Sequence, residues 1–329
     1  MSFLASFICG FLPMLLYAWI LYWLDRYEKE PKLLLGVVFL WGVIISAGSA
    51  FVINTLLGVG VYFFTNSPFA TDLATGSIIA PIVEEVLKGM AVLGVFLLFR
   101  SEFDSLVDGI IYAGVVALGF AATENTYYIL NYGFNEAGWE GFWYLVFVRV
   151  ILVGWQHPFY TAFFGIGLAL ARLNQNLSVK IVAPMAGLAI AMITHAFHNT
   201  VSTFLTGLSG TIIGAVMDWS GWLFMFIFLL VLLFREQGNM KRQLWEEVTS
   251  GVITQAHFRT ATSAWRQAAA RLASIFTGRF RNTKRFFQVC GELAHKKQQF
   301  QKVGDEGGNA ALIAGYRAEL AALATQVQV

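Results

Sequence analysis

Residues 77–99, SIIAPIVEEVLKGMAVLGVFLLF, form an apolar run long enough to cross a membrane, with three charged groups near its centre. Glu84 and Glu85 are adjacent, and Lys88 follows one helical turn later. Each ionised group at the middle of a bilayer costs about 2.5–3.5 kcal/mol on insertion scales, so all three need partners or a function. The run therefore predicts a membrane helix that contains a polar site.

The composition of the chain is that of a polytopic membrane protein. Of its 329 residues, 57% are hydrophobic and 13% are charged, whereas soluble domains carry about 25% charged residues. The N-terminal apolar run has no basic residues before it, so we interpret it as a retained span and not as a signal peptide. We predict an all-α bundle of about seven transmembrane helices, at residues 3–23, 34–58, 76–99, 109–131, 142–170, 180–204 and 212–234.

Basic residues predict the orientation of this bundle, because cytoplasmic loops are enriched in lysine and arginine. The second, fourth and sixth connections contain neither residue. The first, third and fifth connections contain Arg26, Lys29, Lys32, Arg100, Arg172 and Lys180. We therefore expect a multi-pass protein of the cell membrane, with its N-terminus outside and its C-terminal tail in the cytoplasm.

The predicted domains are a transmembrane body at 1–234 and a small helical tail at 235–329. The tail holds 14 of the 22 basic residues and 7 of the 20 acidic residues. Basic and aromatic residues alternate in it, which indicates a solvated helical hairpin beside the anionic inner leaflet; docking of a regulatory partner is the alternative. No nucleic-acid-binding motif accompanies the charge, so we expect neither nucleic acid nor nucleotide as a partner.

Helical spacing leaves the pairing of the two glutamates open. Glu84 and Lys88 are at i, i+4 in the favourable order, while Glu85 and Lys88 are at i, i+3. We expect Glu84 to pair with Lys88 and Glu85 to be freer, although the reverse fits the helix nearly as well. Which of the two glutamates acts as a base is not decided by the sequence.

Three other predicted spans contribute polar side chains. The fourth carries Glu124 and Asn125, with Tyr128 on the same face as Glu124 for packing or hydrogen bonding. The fifth carries His157, where Pro158 predicts a kink that turns the imidazole into a cavity. Arg149, on that same span, is the expected counter-ion for the acids.

The sixth span adds His195 and Asn199 at i, i+4, with His198 three residues after His195. One such residue in a membrane usually serves helix association. The whole set points to function, because the summed desolvation penalty of about 10 kcal/mol is hard to explain structurally.

Carboxylate, imidazole and amide groups together in a membrane cavity suit peptide hydrolysis. A glutamate can take a proton from water, and Asn199 can donate to the oxyanion, a role worth about 3–4 kcal/mol. The ligand types permit Zn²⁺ without requiring it, with His157, His195 and Glu85 as candidate ligands. The predicted catalytic residues are Glu84, Glu85, Glu124, His157, His195 and Asn199, and the supporting residues are Lys88, Asn125, His198 and Tyr128.

These motifs resemble the PrsW family of intramembrane proteases, within the wider group that contains the CAAX prenyl endopeptidases and bacteriocin-immunity proteins. The resemblance covers residues 75–205 and rests on E-E-x-x-x-K from Glu84, F-x-x-x-E-N from Phe120, the His157 helix and H-x-x-x-N from His195. Glu124 stands where the prenyl-protease branch has histidine. The resemblance implies cleavage of membrane-anchored anti-sigma factors near the outer face and a role in a stress response.

A second class of function uses similar residues. Buried glutamate, histidine and lysine also build the proton relays of coupled transporters. The chain shows no inverted repeat, and its polar residues cluster at one depth instead of forming a path across the bilayer. A membrane scaffold without activity is a third interpretation, opposed by the intact glutamates, His195 and Asn199.

Overall fold

The computed structural model describes residues 1–25, 29–205, 207–305 and 308–327 of the chain, so Arg26 of the first connection lies outside the described residues. Within these ranges the secondary structure is helical, without a β-strand. The helices are α1 (Ser2–Leu24), α2 (Lys32–Leu40), α3 (Ala47–Thr65), α4 (Pro68–Ala74), α5 (Ala80–Leu98), α6 (Leu106–Tyr128), α7 (Asn135–Leu145), α8 (Gln156–Arg172), α9 (Leu177–Phe204), α10 (Gly207–Thr249), α11 (Gln255–Ala261), α12 (Ala264–Phe276), α13 (Phe280–Val303) and α14 (Asn309–Ala324).

Short π-helical segments interrupt these helices in the first half of the chain. They span Trp41–Ser46, Thr75–Ile79, Ile129–Phe134 and Val146–Leu152. A π turn misaligns the backbone hydrogen bonds locally, and such turns are frequent at functional sites. Three of the four lie beside polar residues of the predicted site: one precedes the glutamates of α5, one directly follows Tyr128, and another contains Arg149.

Five helical runs are long and apolar enough to cross a membrane, by length and composition alone, among the described residues. They are Ser2–Leu24, Lys32–Thr65, Leu106–Arg172, Leu177–Phe204 and Gly207–Thr249. The all-α membrane fold is therefore confirmed, whereas the count of seven spans is not. The predicted fourth and fifth spans fall in one 67-residue run, and the predicted third span, α5, carries three charged residues in its apolar sequence.

The chain divides into two compact units. The first comprises Met1–Leu24, Glu30–Ala171 and Leu177–Ile227, and the second comprises Asp25–Lys29, Arg172–Asn176 and Phe228–Val329. All of the predicted site residues belong to the first unit. Each unit has its own buried core.

Helix α6 is the centre of the first unit, with every residue from Val107 to Ala122 buried. It begins at a capping box: the backbone N–H of Asp108 donates to Ser105 Oγ at 3.2 Å, and that of Ser105 donates to Asp108 Oδ2 at 2.6 Å. Gly109 on α6 and Gly165 on α8 face each other so closely that a Cβ on either would overlap the carbonyl oxygen of the other. This contact brings α6 and α8 together.

The fifth predicted span is broken before its histidine. The π-helical segment ends at Leu152, residues 153–155 form a bend and turn, and α8 starts at Gln156. Pro158 therefore lies in the first turn of α8, where the missing backbone N–H has no helical acceptor to lose. The predicted kink at Pro158 is wrong in this detail, and His157 is instead placed by the start of a helix.

In the second unit, α13 packs against α10 and α14 around Phe286, Phe287 and Leu293. Buried charges in this unit are paired: Lys297 Nζ lies 2.9 Å from Glu247 Oε1, and Arg317 Nη2 lies 2.7 Å from the same oxygen. The core also contains Cys290, whose thiol pKa is raised by burial.

Candidate active site

The site is assembled in the first unit from α5, α6, α8 and α9. Helix α5 contributes the two adjacent glutamates and Lys88, α6 contributes Glu124, α8 contributes His157 in its first turn, and α9 contributes His195. The ring centroids of the two histidines are 5.2 Å apart. The structure thus brings together the acids and imidazoles that the sequence distributes over more than 100 residues.

Glu85 is the fully bonded carboxylate of the pair. Its Oε1 accepts from Lys88 Nζ at 2.8 Å and lies 3.0 Å from His195 Nδ1, while its Oε2 accepts from Thr161 Oγ1 at 2.8 Å. The side chain is buried. Because both oxygens are engaged, Glu85 anchors its neighbours, and the expectation of a freer Glu85 is wrong.

Glu84 has the less committed carboxylate. Its Oε2 is buried and makes no hydrogen bond to the described residues, although Lys88 Nζ lies 3.6 Å away and His195 Nε2 lies 3.8 Å away. Its Oε1 receives a 3.5 Å contact from Asn54 Nδ2. The physical reason is the direction of the two side chains, which point about 100° apart around the α5 axis. Lys88 therefore pairs closely with Glu85 at i, i+3 and less closely with Glu84 at i, i+4.

The partners of the imidazoles indicate their tautomers. His195 Nδ1 faces the Glu85 carboxylate, an acceptor only, so the proton lies on Nδ1 and the Nε2 lone pair faces Glu84. His157 Nδ1 lies 3.2 Å from Lys88 Nζ, and its Nε2 lies 2.9 Å from Glu124 Oε2. Since an ammonium only donates, His157 accepts at Nδ1 and donates from Nε2.

Glu124 is held by a cation from the π-helical segment before α8. Arg149 Nη2 lies 2.6 Å from Glu124 Oε2, and Arg149 Nε donates to Asn125 Oδ1 at 3.1 Å. The same guanidinium stacks over the ring of Tyr128 at 3.9 Å from its centroid. Arg149 is thus the counter-ion of Glu124, and Asn125 and Tyr128 position Arg149.

Asn199 and His198 have other partners than the sequence suggested. Asn199 Nδ2 donates to the carbonyl oxygen of Gly76 at 2.8 Å, a group in the π-helical segment before α5. The amide expected to serve an oxyanion is therefore occupied by backbone. His198 Nδ1 lies 3.0 Å from Asp218 Oδ1 on α10 and 2.9 Å from Gln156 Nε2, which holds it to α8 and α10.

Two cavities adjoin the site. One of about 410 Å³ is lined by His157, His195 and Asn199, and another of about 680 Å³ is lined by Glu84. Both are lined by Glu124 and Tyr128. A chain segment entering either cavity would reach this cluster.

Two side chains on α8 belong to the site but were not predicted from the sequence. Thr161 is the third partner of Glu85, and Tyr160 stacks on His195 with ring centroids 4.8 Å apart. The Tyr160 hydroxyl is buried and makes no hydrogen bond within the described part of the chain. The available clue was spacing, since both residues follow His157 at i+3 and i+4 and share its helix face.

Glu84, His157 and His195 offer ligand atoms that all lie within 4.8 Å of one another. The set fits a metal ion on two further observations. Glu84 Oε2 has no hydrogen-bond partner among the described residues, and His195 presents Nε2 while a carboxylate holds its Nδ1, as is usual for a metal-binding histidine. Ligation by His157 would replace one of its two present contacts. Glu84 thus takes the place in this triad that the sequence assigned to Glu85.

Residues 30–233, more than half of the chain, match the PrsW family intramembrane metalloproteases. The chain belongs to the PrsW family. No solved structure shows a significant match to it.

Three relatives are each named Protease PrsW. The protein of Geobacillus kaustophilus (strain HTA426) is 34% identical over 113 residues, which are 34% of this chain and 47% of that protein. The protein of Clostridioides difficile (strain 630) is 30% identical over 134 residues, 40% of this chain and 53% of that protein. The protein of Bacillus subtilis (strain 168) is 26% identical over 186 residues, 55% of this chain and 75% of that protein. The chain thus spans about half the length of the first two relatives.

Proposed function

We propose that this PrsW-family chain is an intramembrane endopeptidase that hydrolyses peptide bonds of membrane-anchored proteins. The observation that carries the proposal is the buried Glu84 carboxyl group. Its Oε2 has no hydrogen-bond partner in the described ranges of the chain and faces the Nε2 lone pair of His195 beside a cavity. Hydrolysis needs a base that takes one proton from water and returns it to the leaving amine, and a hydrogen-bond acceptor that orients the water. The curated relatives named as proteases support the assignment.

In this proposal Glu84 Oε2 accepts one proton of the attacking water, and His195 Nε2 orients that water by accepting a hydrogen bond from it. Glu84 then returns the proton to the leaving amine as the C–N bond breaks. Glu85 and Thr161 fix the tautomer and direction of the His195 ring through the contacts described above. Lys88 holds both carboxyl groups in place, because its fully buried ammonium lies 2.8 Å from Glu85 Oε1 and 3.6 Å from Glu84 Oε2.

A donor is also needed for the oxygen of the scissile carbonyl. We assign this role to the Tyr160 hydroxyl, which is buried at the first cavity and has no hydrogen-bond partner among the described residues. The same role was predicted for Asn199, whose amide instead holds the carbonyl of Gly76. Asn199 is therefore proposed as a positioning residue for the start of α5.

A metal ion is compatible with this centre. Glu84, His157 and His195 would hold it, and we propose Zn²⁺, which when bound polarises a carbonyl and lowers the pKa of water. With the ion bound, Glu84 and His195 would be its ligands, and these ligand roles would replace the roles of base and water acceptor given above for the metal-free centre. Metal analysis of the purified chain tests this separately from activity. About one zinc per chain, lost in His195→Ala and retained in Glu136→Gln, an exposed glutamate of α7, is the expected result. Equal zinc content in the two variants would refute the assignment.

The remaining predictions from the sequence stay part of the proposal. The catalytic domain is assigned to residues 1–234 and the basic tail to 235–329, with the N-terminus outside the cell membrane and the tail in the cytoplasm. By resemblance, the substrates are of the anti-sigma-factor type and their cleavage starts a stress response. Membership of the wider group of CAAX prenyl endopeptidases is likewise proposed on the shared motif order.

A search for new protein N-termini in native membranes tests the function directly. Membranes with the wild-type chain are compared with membranes containing Glu84→Gln and with the matched control Glu136→Gln. We expect fragments cut close to a membrane anchor in the wild type and the control, and none in Glu84→Gln. If all three samples have identical termini under several envelope stresses, the protease proposal fails, and proton-flux assays in liposomes would test the transporter.

A further inference from the structure

Helix α12 in the second unit has its polar face buried and its apolar face exposed. Gln267 and Ser274 are 3% and 6% exposed, whereas Trp265, Leu272 and Phe276 are 86%, 63% and 91% exposed. These three apolar residues follow one another at i, i+7 and i+11, so they form one stripe along the helix. A helix at the surface of a soluble domain has the opposite arrangement.

Specific hydrogen bonds hold the polar face inward. Gln267 Nε2 donates to the carbonyl oxygen of Ala261 at 2.6 Å, and Arg271 Nη2 donates to Gln267 Oε1 at 3.1 Å. The helix begins at Ser263, whose Oγ accepts from the backbone N–H of Arg266. Rotation of α12 to bury the apolar stripe would break these bonds, so the outward direction of the stripe is built into the unit.

The stretch of sequence that contains α12 carries charge of one sign. Between Glu247 and Glu292 the chain contains no acidic residue. It contains seven basic residues there, Arg259, Arg266, Arg271, Arg279, Arg281, Lys284 and Arg285. Five of the seven, Arg259, Arg266, Arg279, Arg281 and Lys284, are exposed. Such a surface is complementary to an anionic one.

The position of α12 relative to α10 places this surface at the level of a membrane boundary. The apolar run of α10 ends at Phe234, and charged residues follow from Arg235. One turn later, Gln237 Nε2 donates to the carbonyl oxygen of Thr262 at 2.8 Å, immediately before α12. Trp265 lies on the first turn of α12, within a few residues of this bond. Tryptophan and arginine at such a level are typical of interfacial anchors.

We propose that α12 lies in the membrane interface, with Trp265, Leu272 and Phe276 among the acyl chains and the surrounding arginines on anionic lipid headgroups. An amphipathic helix with aromatic and basic residues binds a bilayer in this way. The covalent connection to α10 keeps the bilayer at high effective concentration, so the helix needs little affinity of its own. A second copy of the chain would offer no comparable anionic surface, because its own α12 region is equally basic.

Spin-label accessibility in the full chain tests the proposal. A label is attached at Leu272→Cys, an exposed position whose substitution leaves the packed face unchanged, in a Cys9→Ala background. The remaining thiol, Cys290, is fully buried and its raised pKa suppresses labelling. Ala314→Cys on α14, also exposed, is the matched control. Both proteins are placed in nanodiscs of phosphatidylglycerol with phosphatidylcholine, and in nanodiscs of phosphatidylcholine alone.

We expect the label at 272 to collide several-fold more often with oxygen than with a water-soluble nickel chelate in the anionic nanodiscs, and the label at 314 to show the reverse. The preference at 272 should fall in phosphatidylcholine alone. If the label at 272 behaves like that at 314 in anionic nanodiscs, α12 is in water and the proposal is wrong. Protection from both reagents with spin–spin broadening would show a second copy on this face, and would overturn the proposal as well.

Discussion

Replacing Glu84 or Glu85 by glutamine tests which carboxylate anchors its neighbours and which one reacts. The structure assigns the anchoring role to Glu85, and we propose the reactive role for Glu84. Glu84→Gln and Glu85→Gln are the same chemical change on neighbouring residues of α5, so each is the matched control for the other. We expect Glu85→Gln to lower stability strongly, and Glu84→Gln to abolish peptide cleavage with little loss of stability.

The magnitudes follow from the contacts. Glu85 accepts from Lys88 and Thr161 at 2.8 Å and faces His195 at 3.0 Å, with its side chain fully buried. Breaking a buried ion pair from one side costs about 3–5 kcal/mol. Because the Glu84 carboxyl group remains 3.6 Å from the Lys88 ammonium as a second partner, we take the lower end, about 3 kcal/mol. Glu84 Oε2 accepts no hydrogen bond from the described residues, so Glu84→Gln should cost less than about 1 kcal/mol.

Thermal unfolding in nanodiscs measures the first effect, and the appearance of new N-termini measures the second. At about 2–4 °C per kcal/mol, the expected decrease in Tm is about 6–12 °C for Glu85→Gln and a few degrees at most for Glu84→Gln. Equal decreases in Tm, or a larger one for Glu84→Gln, would show that the assigned pairing of Lys88 is incorrect. Full cleavage activity in Glu84→Gln would remove this residue from the mechanism.

Three further substitutions test other parts of the first unit. Tyr160→Phe removes only the hydroxyl and should lower kcat by about 100-fold at unchanged Tm, while Tyr144→Phe at the rim of the same cavity should leave kcat unchanged; equal kcat values would exclude the donor role. Gly165→Ala places a Cβ against backbone and should cost about 1–3 kcal/mol of unfolding free energy, whereas Gly60→Ala on α3 meets open space and should not. In Arg149→Lys, the ammonium cannot contact Glu124 and Asn125 and also stack on the ring of Tyr128, so the Tm should fall. An unchanged Tm would show that a positive charge alone is sufficient at this position.

Much of the fold could be predicted from hydropathy. Charged residues are rare in long apolar runs, so the membrane helices and the exceptional positions within them are visible directly. The count of spans was less predictable, since the π-helical segments and the bend before His157 arise from packing against neighbouring helices. The predicted counter-ion role of Arg149 agrees with its 2.6 Å contact to Glu124, because a half-buried cation between apolar helices has few acidic side chains within reach.

The sequence alone determined which residues belong to the polar cluster. Ionised and imidazole groups in an apolar run have a high free-energy cost of insertion, so they stand out without coordinates. Only the tertiary structure decided which role each residue of the cluster has. Helical spacing allowed Lys88 to pair with either glutamate, and the choice of Glu85 depends on Thr161 and His195 approaching from α8 and α9. Asn199 donates to the carbonyl oxygen of Gly76 in a π-helical segment, a partner that the sequence did not indicate. The apolar stripe of α12 faces outward because hydrogen bonds hold the opposite, polar face inward. Contacts between elements depend on the rotation and depth of each helix, which the order of residues along one helix does not contain.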